Sequence, residues 1–154
     1  MNARTIALTL ALCLVGVAVF FAQDAQMGTW KLNEAKSKLA PGGTKNNTVV
    51  YAAAGDNVKI TVDGVDSAGK PTHNEWTGKF DGKDYPVTGD PTSDMRSYTK
   101  IDDRALGMNV KKGGKTTASG RIVISGDGKT RTVTVGGTDP SGKKFQATAV
   151  YDKE

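Results

Sequence analysis

Apolar and polar residues alternate in short runs along most of this chain, and turns rich in glycine separate the runs. Val58, Ile60 and Val62, for example, alternate with polar neighbours, which is the period-two pattern of a strand with one buried face. The turns combine Asp, Gly and Lys in segments too short to hold a helix. Beyond the first 25 residues, we find no sustained 3.6-residue period with helix caps. The pattern therefore predicts an all-β protein built from consecutive antiparallel hairpins.

About ten strands are expected, together with one helical turn over 34–39. The predicted strands cover 28–33, 48–54, 58–63, 72–80, 85–88, 95–101, 106–111, 116–125, 130–135 and 144–151. Antiparallel strands with one apolar face hide their edges either in a closed barrel or in a two-sheet sandwich. Short sequential connections favour an up-and-down barrel, because Greek keys need long crossovers. Only the segment 33–47 is a longer connection in the predicted set.

An internal repeat occupies 61–70 and 134–143, with the shared pattern T-V-x-G-x-D-x-x-G-K. One interpretation is a duplicated ligand loop. The favoured interpretation is one hairpin turn used twice, in which Asp caps the turn and Gly takes a position with positive φ. Gly64 and Gly137 interrupt the strands of the two copies, and glycine inside a strand predicts a bulge or a sharp bend.

The beginning of the chain has a different character. A short positive start is followed by an almost unbroken apolar run over 6–22 and then by polar and small residues, as in a secretory signal peptide. The run is at the short edge for a bilayer-spanning helix, which needs about 20 residues. We predict a signal peptide over 1–25, cleaved after Ala22 or Ala25, and a single β-barrel domain over 26–154. The protein would then be exported to the periplasm or outside the cell, with no stable membrane anchor. Cys13, the only cysteine, would be lost on cleavage.

Composition excludes several chemistries. The net charge of +5 comes from 21 basic and 16 acidic residues that are interspersed, and aromatic residues make up 6%, so a nucleic-acid partner is not expected. His73 is the only histidine, which excludes metal sites with two or three histidines. It lies on an alternating strand and is expected on the outer face. We find no phosphate loop and no catalytic constellation, so neither a cofactor, a metal nor an enzymatic activity is predicted.

The inner face predicted for the barrel mixes large, small and polar side chains. Such a wall is compatible both with a cavity and with a filled core. If there is a cavity, the residues expected to line it are Asn74, Trp76, Phe80, Tyr98, Met108, Ile122 and Phe145. Asn74 would orient the ligand, and the other six residues would contact its apolar parts.

Three features together resemble the calycins, which comprise the lipocalins and the intracellular fatty-acid-binding proteins. They are Gly28-x-Trp30 on the first strand, the meander of about ten strands, and the ending Ala-Val-Tyr-Asp-Lys over 149–153. The opening of the domain is also similar to small exported bacterial lipocalin-like proteins of uncharacterised role. The resemblance implies a barrel that carries small molecules. It also implies a structural role for Gly28 and Trp30, with the indole on the barrel floor under a late arginine, Arg121 or Arg131.

The chain departs from the fatty-acid-binding proteins in two places. The segment 33–47 is too short for their two-helix lid, and Ala149 stands where their last strand has the arginine of an Arg-x-Tyr pair. Fatty-acid carriage is therefore not supported residue by residue. The expected function is an exported protein that binds or carries a small hydrophobic ligand inside the barrel. The alternative is a filled barrel that acts, without catalysis, through its surface or in association with the cell envelope.

Overall fold

Ten antiparallel strands form a closed barrel in the computed structural model, which describes residues 24–154. The strands are β1 Gly28–Leu32, β2 Lys45–Ala54, β3 Asn57–Val65, β4 Pro71–Gly78, β5 Tyr85–Thr88, β6 Met95–Asp102, β7 Ala105–Lys112, β8 Lys115–Ile124, β9 Thr130–Thr138 and β10 Lys144–Lys153. A turn of 3-10 helix at Glu34–Lys36 follows β1. Each strand pairs with its sequence neighbours, and β1 closes the barrel against β10. The predicted all-β fold and up-and-down barrel are confirmed.

The predicted signal peptide lies outside the described residues, apart from Asp24 and Ala25. These two belong to a turn in which the Asp24 carboxylate accepts a hydrogen bond from the Gln26 N–H at 2.9 Å. Within residues 24–154, no helix has both the length and the apolar character needed to cross a bilayer.

The two copies of the internal repeat are hairpins with the same turn. The Asp66 N–H donates to the carbonyl of Lys70 at 2.9 Å, and the Asp139 N–H donates to that of Lys143 at the same distance. Each Asp carboxylate also accepts a hydrogen bond from the backbone N–H of its lysine, again at 2.9 Å. The two copies therefore form the same hairpin turn, as the favoured interpretation predicts.

The glycines inside these hairpins allow neighbouring backbones to approach closely. A Cβ atom at Gly64 would overlap the carbonyl oxygen of Lys45, and one at Gly137 would overlap that of Thr117. Close approach of this kind produces the sharp local bends that a closed barrel needs. The predicted bulge is present opposite Gly64, between Asn46 and Thr48, whereas β9 pairs with both neighbouring strands without a register shift at Gly137. β2 starts earlier than predicted because it continues alongside β3 beyond this bulge.

The two ends of the barrel differ in their connections. The upper end carries the connections 66–70, 89–94, 113–114 and 139–143, and the segment 33–44. The lower end carries the connections 55–56, 79–84, 103–104 and 125–129, and the N-terminal turn 24–27.

The hydrophobic core centres on Trp76 and fills the lower part of the barrel. The Trp76 ring lies edge-on against Tyr85 at 5.6 Å and Tyr98 at 4.8 Å, and it stacks on Phe80 at 6.3 Å between ring centroids. Its Nε1–H donates to the carbonyl of Arg96 at 2.9 Å, so the buried indole has its hydrogen-bond partner. The buried members of this core are Trp30, Val49, Tyr51, Ile60, Val62, Trp76, Val87, Tyr98, Leu106, Ile122, Ile124 and Tyr151.

Candidate ligand site in the barrel interior

Three of the residues predicted to line a ligand lie deep in the core. Trp76 is 1% exposed, Tyr98 is 2% exposed and Ile122 is 0% exposed. Ile122 lies opposite Leu106, and Tyr98 lies opposite Met108, so the strand register places them on the same inner face. These three side chains are covered by other side chains of the protein. Their contact with a ligand stays a prediction.

The other four predicted residues are half-buried on the same inner face. They are Asn74, Phe80, Met108 and Phe145. The Asn74 carbonyl oxygen Oδ1 is buried and has no hydrogen-bond partner among the described residues. Buried polar atoms are nearly always paired, so this oxygen has unused capacity to accept a hydrogen bond. This unused acceptor marks Asn74 as the polar residue among the seven predicted to line the site. The role of Asn74 in orienting a ligand stays a prediction.

The inner faces of β9 and β10 form a column of paired residues that we call the β9–β10 column. From the lower end upward, its pairs are Arg131–Tyr151, Val133–Ala149, Val135–Ala147 and Gly137–Phe145. Val133 lies opposite Ile122, which fixes the column as inward-facing. The lowest pair is buried, whereas the residues of the upper three pairs are half-buried. The upper part of this wall of mostly small apolar side chains is therefore partly accessible to solvent, and the wall ends below at the buried guanidinium of Arg131.

Arg131 is buried without an acidic partner. It is 4% exposed, and its Nη2 donates to the Tyr51 hydroxyl at 2.8 Å. The guanidinium carbon lies 5.1 Å from the ring centroid of Tyr51 and 5.0 Å from that of Tyr151. No Asp or Glu within residues 24–154 forms an ion pair with it, and its Nε is buried without a hydrogen-bond partner. Burying a charge in this way is costly unless something else compensates it.

The tyrosines around Arg131 stay neutral. Burial raises the pKa of the Tyr51 phenol far above its usual value, although the charge and hydrogen bond of Arg131 act in the opposite direction. Burial likewise raises the pKa of Tyr151. A neutral Tyr51 that accepts from Arg131 keeps its own hydroxyl proton, which can be donated to an acceptor. Arg131 and Tyr51 together therefore present donors for an anionic group.

A second buried guanidinium, that of Arg96, does have a carboxylate nearby. Arg96 is 9% exposed, and its Nη2 lies 3.5 Å from Oδ2 of Asp90. Asp90 also accepts hydrogen bonds from the Ser93 hydroxyl at 2.6 Å and from the Thr92 hydroxyl at 2.7 Å. Burial alone would raise the pKa of Asp90, but these hydroxyls, the Thr92 N–H and Arg96 together hold it below its usual value. The two buried guanidiniums, Arg96 and Arg131, are thus matched by one carboxylate.

Sequence reasoning missed the burial of Arg96 and the contact between Arg131 and Tyr51. A signal for Arg131 was present, because it alternates with Val133 and Val135 and therefore shares their apolar face. An arginine on the apolar face of a strand indicates a buried charge. Its contact with Tyr51 joins residues 80 positions apart, so it becomes visible only once the barrel is closed.

The expected position of an arginine over Trp30 is wrong. Lys153 Nζ lies 5.1 Å from the Trp30 ring centroid, while Arg121 is exposed on the outer face. Trp30 itself is 0% exposed on the barrel floor. Gly28 has φ of 114°, and a Cβ there would lie 2.9 Å from Cε of Lys153. Gly28 therefore gives the lysine room to cover the indole, a contact between strand ends that alternation alone does not reveal.

The outer surface of residues 24–154 includes two concave regions. One, of about 580 Å³, lies on the outer face of β8, β9 and β10 and is lined in part by Arg121, Val123 and Thr134. The other, of about 470 Å³, lies at the upper rim between 39–43 and 65–69. His73 is on the outer face, as predicted, where it contacts Asp63 at 2.6 Å and Glu75 at 3.3 Å.

Comparison with known proteins adds little to this description. No family model matches the chain, and no curated protein matches it. Among solved structures, it is similar to a redesigned β-barrel, mFAP1, whose structure was determined bound to DFHBI. The two share 18% sequence identity with a TM-score of 0.46, over 84% of this chain and 98% of the other.

Proposed function

We propose that this protein binds a small, mainly apolar molecule that carries one acidic group, and that it holds this ligand in the barrel interior. The observation that carries the proposal is the burial of Arg131 without a carboxylate partner in the described part of the chain. An acidic group of a ligand would supply the missing negative charge, and hydrogen bonds to charged groups are among the strongest available.

The β9–β10 column supports the apolar part of the proposed ligand. Its inner side chains above the guanidinium are mostly small, apolar and half-buried, and ligand sites in barrels combine such apolar walls with a few polar groups. The acidic group would lie next to Arg131 and Tyr51, and the apolar part would extend upward past Val133 and Ala147.

The proposed setting of this activity comes from the sequence. A signal peptide over 1–25 and the resemblance to exported lipocalin-like proteins support an exported carrier in the periplasm or outside the cell. We find no set of side chains with a catalytic arrangement in residues 24–154, and binding without chemistry needs none.

The test uses two fluorescent probes that share one skeleton. 1-Anilinonaphthalene-8-sulfonate carries an acidic group, and N-phenyl-1-naphthylamine lacks it. The wild-type protein is expected to bind the sulfonate about tenfold more tightly than the amine, as one charge-assisted contact implies. Arg131→Met should remove this preference while keeping the apolar contacts. Equal affinities of wild type and Arg131→Met for the sulfonate would contradict the proposal.

A matched pair of substitutions locates the site. Ala147→Phe fills the β9–β10 column and should abolish uptake of both probes. Ala52→Phe makes the same change at an exposed position near the lower end of β2 and should leave uptake unchanged. Equal effects of the two substitutions would place the bound probe elsewhere on the protein.

A filled barrel that acts through its surface is the second candidate. The observation in its favour is the groove of about 580 Å³ on the outer face of β8, β9 and β10. Under this candidate, neither probe would respond to Ala147→Phe, and Arg121→Ala in the groove would abolish any binding that is seen.

A further inference from the structure

The barrel wall is weakest beside β5. This strand has four residues and pairs with β4 only through Glu75–Thr88 and Trp76–Val87. On its other side, it pairs with β6 through two residue pairs, the upper of which is Pro86–Met95. Above Thr88, the described chain continues as a loop, so the upper part of β4 has no strand ladder on this side. We call this segment, residues 89–94, the 89–94 loop.

The 89–94 loop fills the gap in the wall. A Cβ at Gly89 would overlap the carbonyl oxygen of His73, so the loop backbone lies directly against β4. At its other end, Asp94 accepts from the Val87 N–H at 2.9 Å and donates its own N–H to the Lys111 carbonyl at 3.0 Å. Both ends of the loop are therefore anchored to neighbouring strands.

Asp90 ties the middle of the loop to the interior. Its carboxylate holds the loop's own Thr92 and Ser93, and the same Oδ2 reaches Nη2 of Arg96. The contact of 3.5 Å to Arg96 is at the long limit of a hydrogen bond, and Nε of Arg96 is buried with no partner in the described residues. Arg96 can therefore make a better contact with another acceptor than it makes with Asp90.

Unpaired polar atoms lie beside the loop and at its end. Oδ1 of Asn74 on the neighbouring β4 and Oδ1 of Asp94, the last residue of the loop, are both buried without hydrogen-bond partners among residues 24–154. Buried atoms of this kind are few in stable proteins. Together with Nε of Arg96, these two oxygens place three of the unpaired buried polar atoms of the described residues at or beside this loop.

We infer that the 89–94 loop is the entrance to the barrel interior and that Asp90 selects for acidic ligands by holding Arg96 until an acidic group takes its place. The inference rests on the proposed function, because it concerns the same ligand. Asp90 acts as an internal anion that a neutral molecule cannot displace from Arg96. An acidic molecule releases Asp90, opens the loop and passes inward towards Arg131.

Asp90→Asn and Asp139→Asn form the matched pair for the test. Both are turn aspartates at the upper end, and Asp139 accepts hydrogen bonds from Ser141 and Lys143 but contacts no arginine of residues 24–154. The first measurement, without ligand, is hydrogen exchange of the backbone amides of residues 89–94. The second is the association rate of 1-anilinonaphthalene-8-sulfonate and of N-phenyl-1-naphthylamine, measured by stopped-flow fluorescence.

Asp90→Asn should raise amide exchange in the loop by about tenfold or more, as expected for loss of charge-assisted hydrogen bonds. It should also speed entry of both probes and remove the difference between their entry rates, while Asp139→Asn resembles wild type in every measurement.

If wild type binds the sulfonate and Asp90→Asn binds it at the same rate, the entrance is elsewhere and only this inference fails. If amide exchange rises but the entry rates do not, Asp90 only stabilises the loop, and the inference is again overturned. If neither protein binds either probe, the proposed function fails together with the inference.

Discussion

A single methyl group added at Gly78 tests how closely the rings around Trp76 are packed. Gly78 is buried at the end of β4, and a Cβ there would lie 2.6 Å from Cγ and Cδ2 of Tyr85 and 2.7 Å from Cζ2 of Trp76. Carbon atoms in van der Waals contact are about 3.5–4.0 Å apart, so each ring would have to move by about 1 Å. The Trp76 ring has little freedom to do so, because Tyr98 lies against it and its Nε1–H is bonded to Arg96.

The expected cost follows from these contacts. Overpacking a core with one methyl group destabilises by about 1–3 kcal/mol. The smaller entropy of an unfolded chain with alanine returns about 0.4–1 kcal/mol. Because both obstacles are rings held on several sides, we expect Gly78→Ala to lower the free energy of unfolding by about 1–2 kcal/mol.

Gly107→Ala is the control for this change. Gly107 also lies within a strand, but a Cβ there would meet Cδ1 of Ile101 at 3.8 Å and the carbonyl oxygen of Thr99 at 3.9 Å, which are ordinary contacts. Urea unfolding followed by tryptophan fluorescence should show a lower midpoint for Gly78→Ala at unchanged slope, and a midpoint for Gly107→Ala equal to or above that of wild type. If Gly78→Ala is as stable as Gly107→Ala, the close packing around Trp76 is refuted.

Three further predictions follow from the charged and titrating groups. Arg131→Met should leave the free energy of unfolding within about 1 kcal/mol of wild type or raise it, because the substitution removes an uncompensated buried charge. A decrease of about 3 kcal/mol or more, measured by urea unfolding, would show instead that the charge of Arg131 stabilises the fold. The raised pKa values of Tyr51 and Tyr151 favour the neutral phenols in the folded state, so the stability they contribute is complete below about pH 10 and is lost as the pH rises through the folded values. Absorbance at about 295 nm should show their ionisation delayed until unfolding, and ordinary titration of all the tyrosines in the native protein would contradict this. The hydrogen bond to Asp63, and then the one to Glu75, raise the pKa of His73. The stability that His73 contributes is therefore present below about pH 6.5 and is lost as the pH rises through its pKa in the folded protein. If an NMR titration shows that Asp63→Asn does not lower the pKa of His73, this role of Asp63 is contradicted.

Local alternation predicted the all-β fold, and the short connections between consecutive strands favoured the barrel. The strand β5 was predicted with its observed bounds, because Gly and Asp residues delimit it on both sides. The errors are at ends where alternation fails. The start of β2 at Lys45 lies before a bulge, and β9 continues to Thr138 through two glycines that carry no side-chain signal.

The candidate site was less predictable, because a strand pattern tells which face a residue occupies but not what it meets across the barrel. Trp76 and Phe145 are both inward, yet one is enclosed by other rings and the other lies half-buried at the upper end of the β9–β10 column. Alternation cannot separate a side chain that fills the core from one that borders a cavity. The pairing of Arg131 with Tyr51 likewise depends on closure of the sheet.

Native mass spectrometry of the protein purified from the organism that makes it tests whether the barrel holds a small acidic ligand. We expect a reproducible mass excess that disappears on denaturation, a released compound that carries an acidic group on an apolar skeleton, and no such excess in Arg131→Met made in the same host. A bare mass for the wild-type protein, together with no uptake of either naphthalene probe, would refute ligand binding in the interior and indicate a filled barrel that works through its surface.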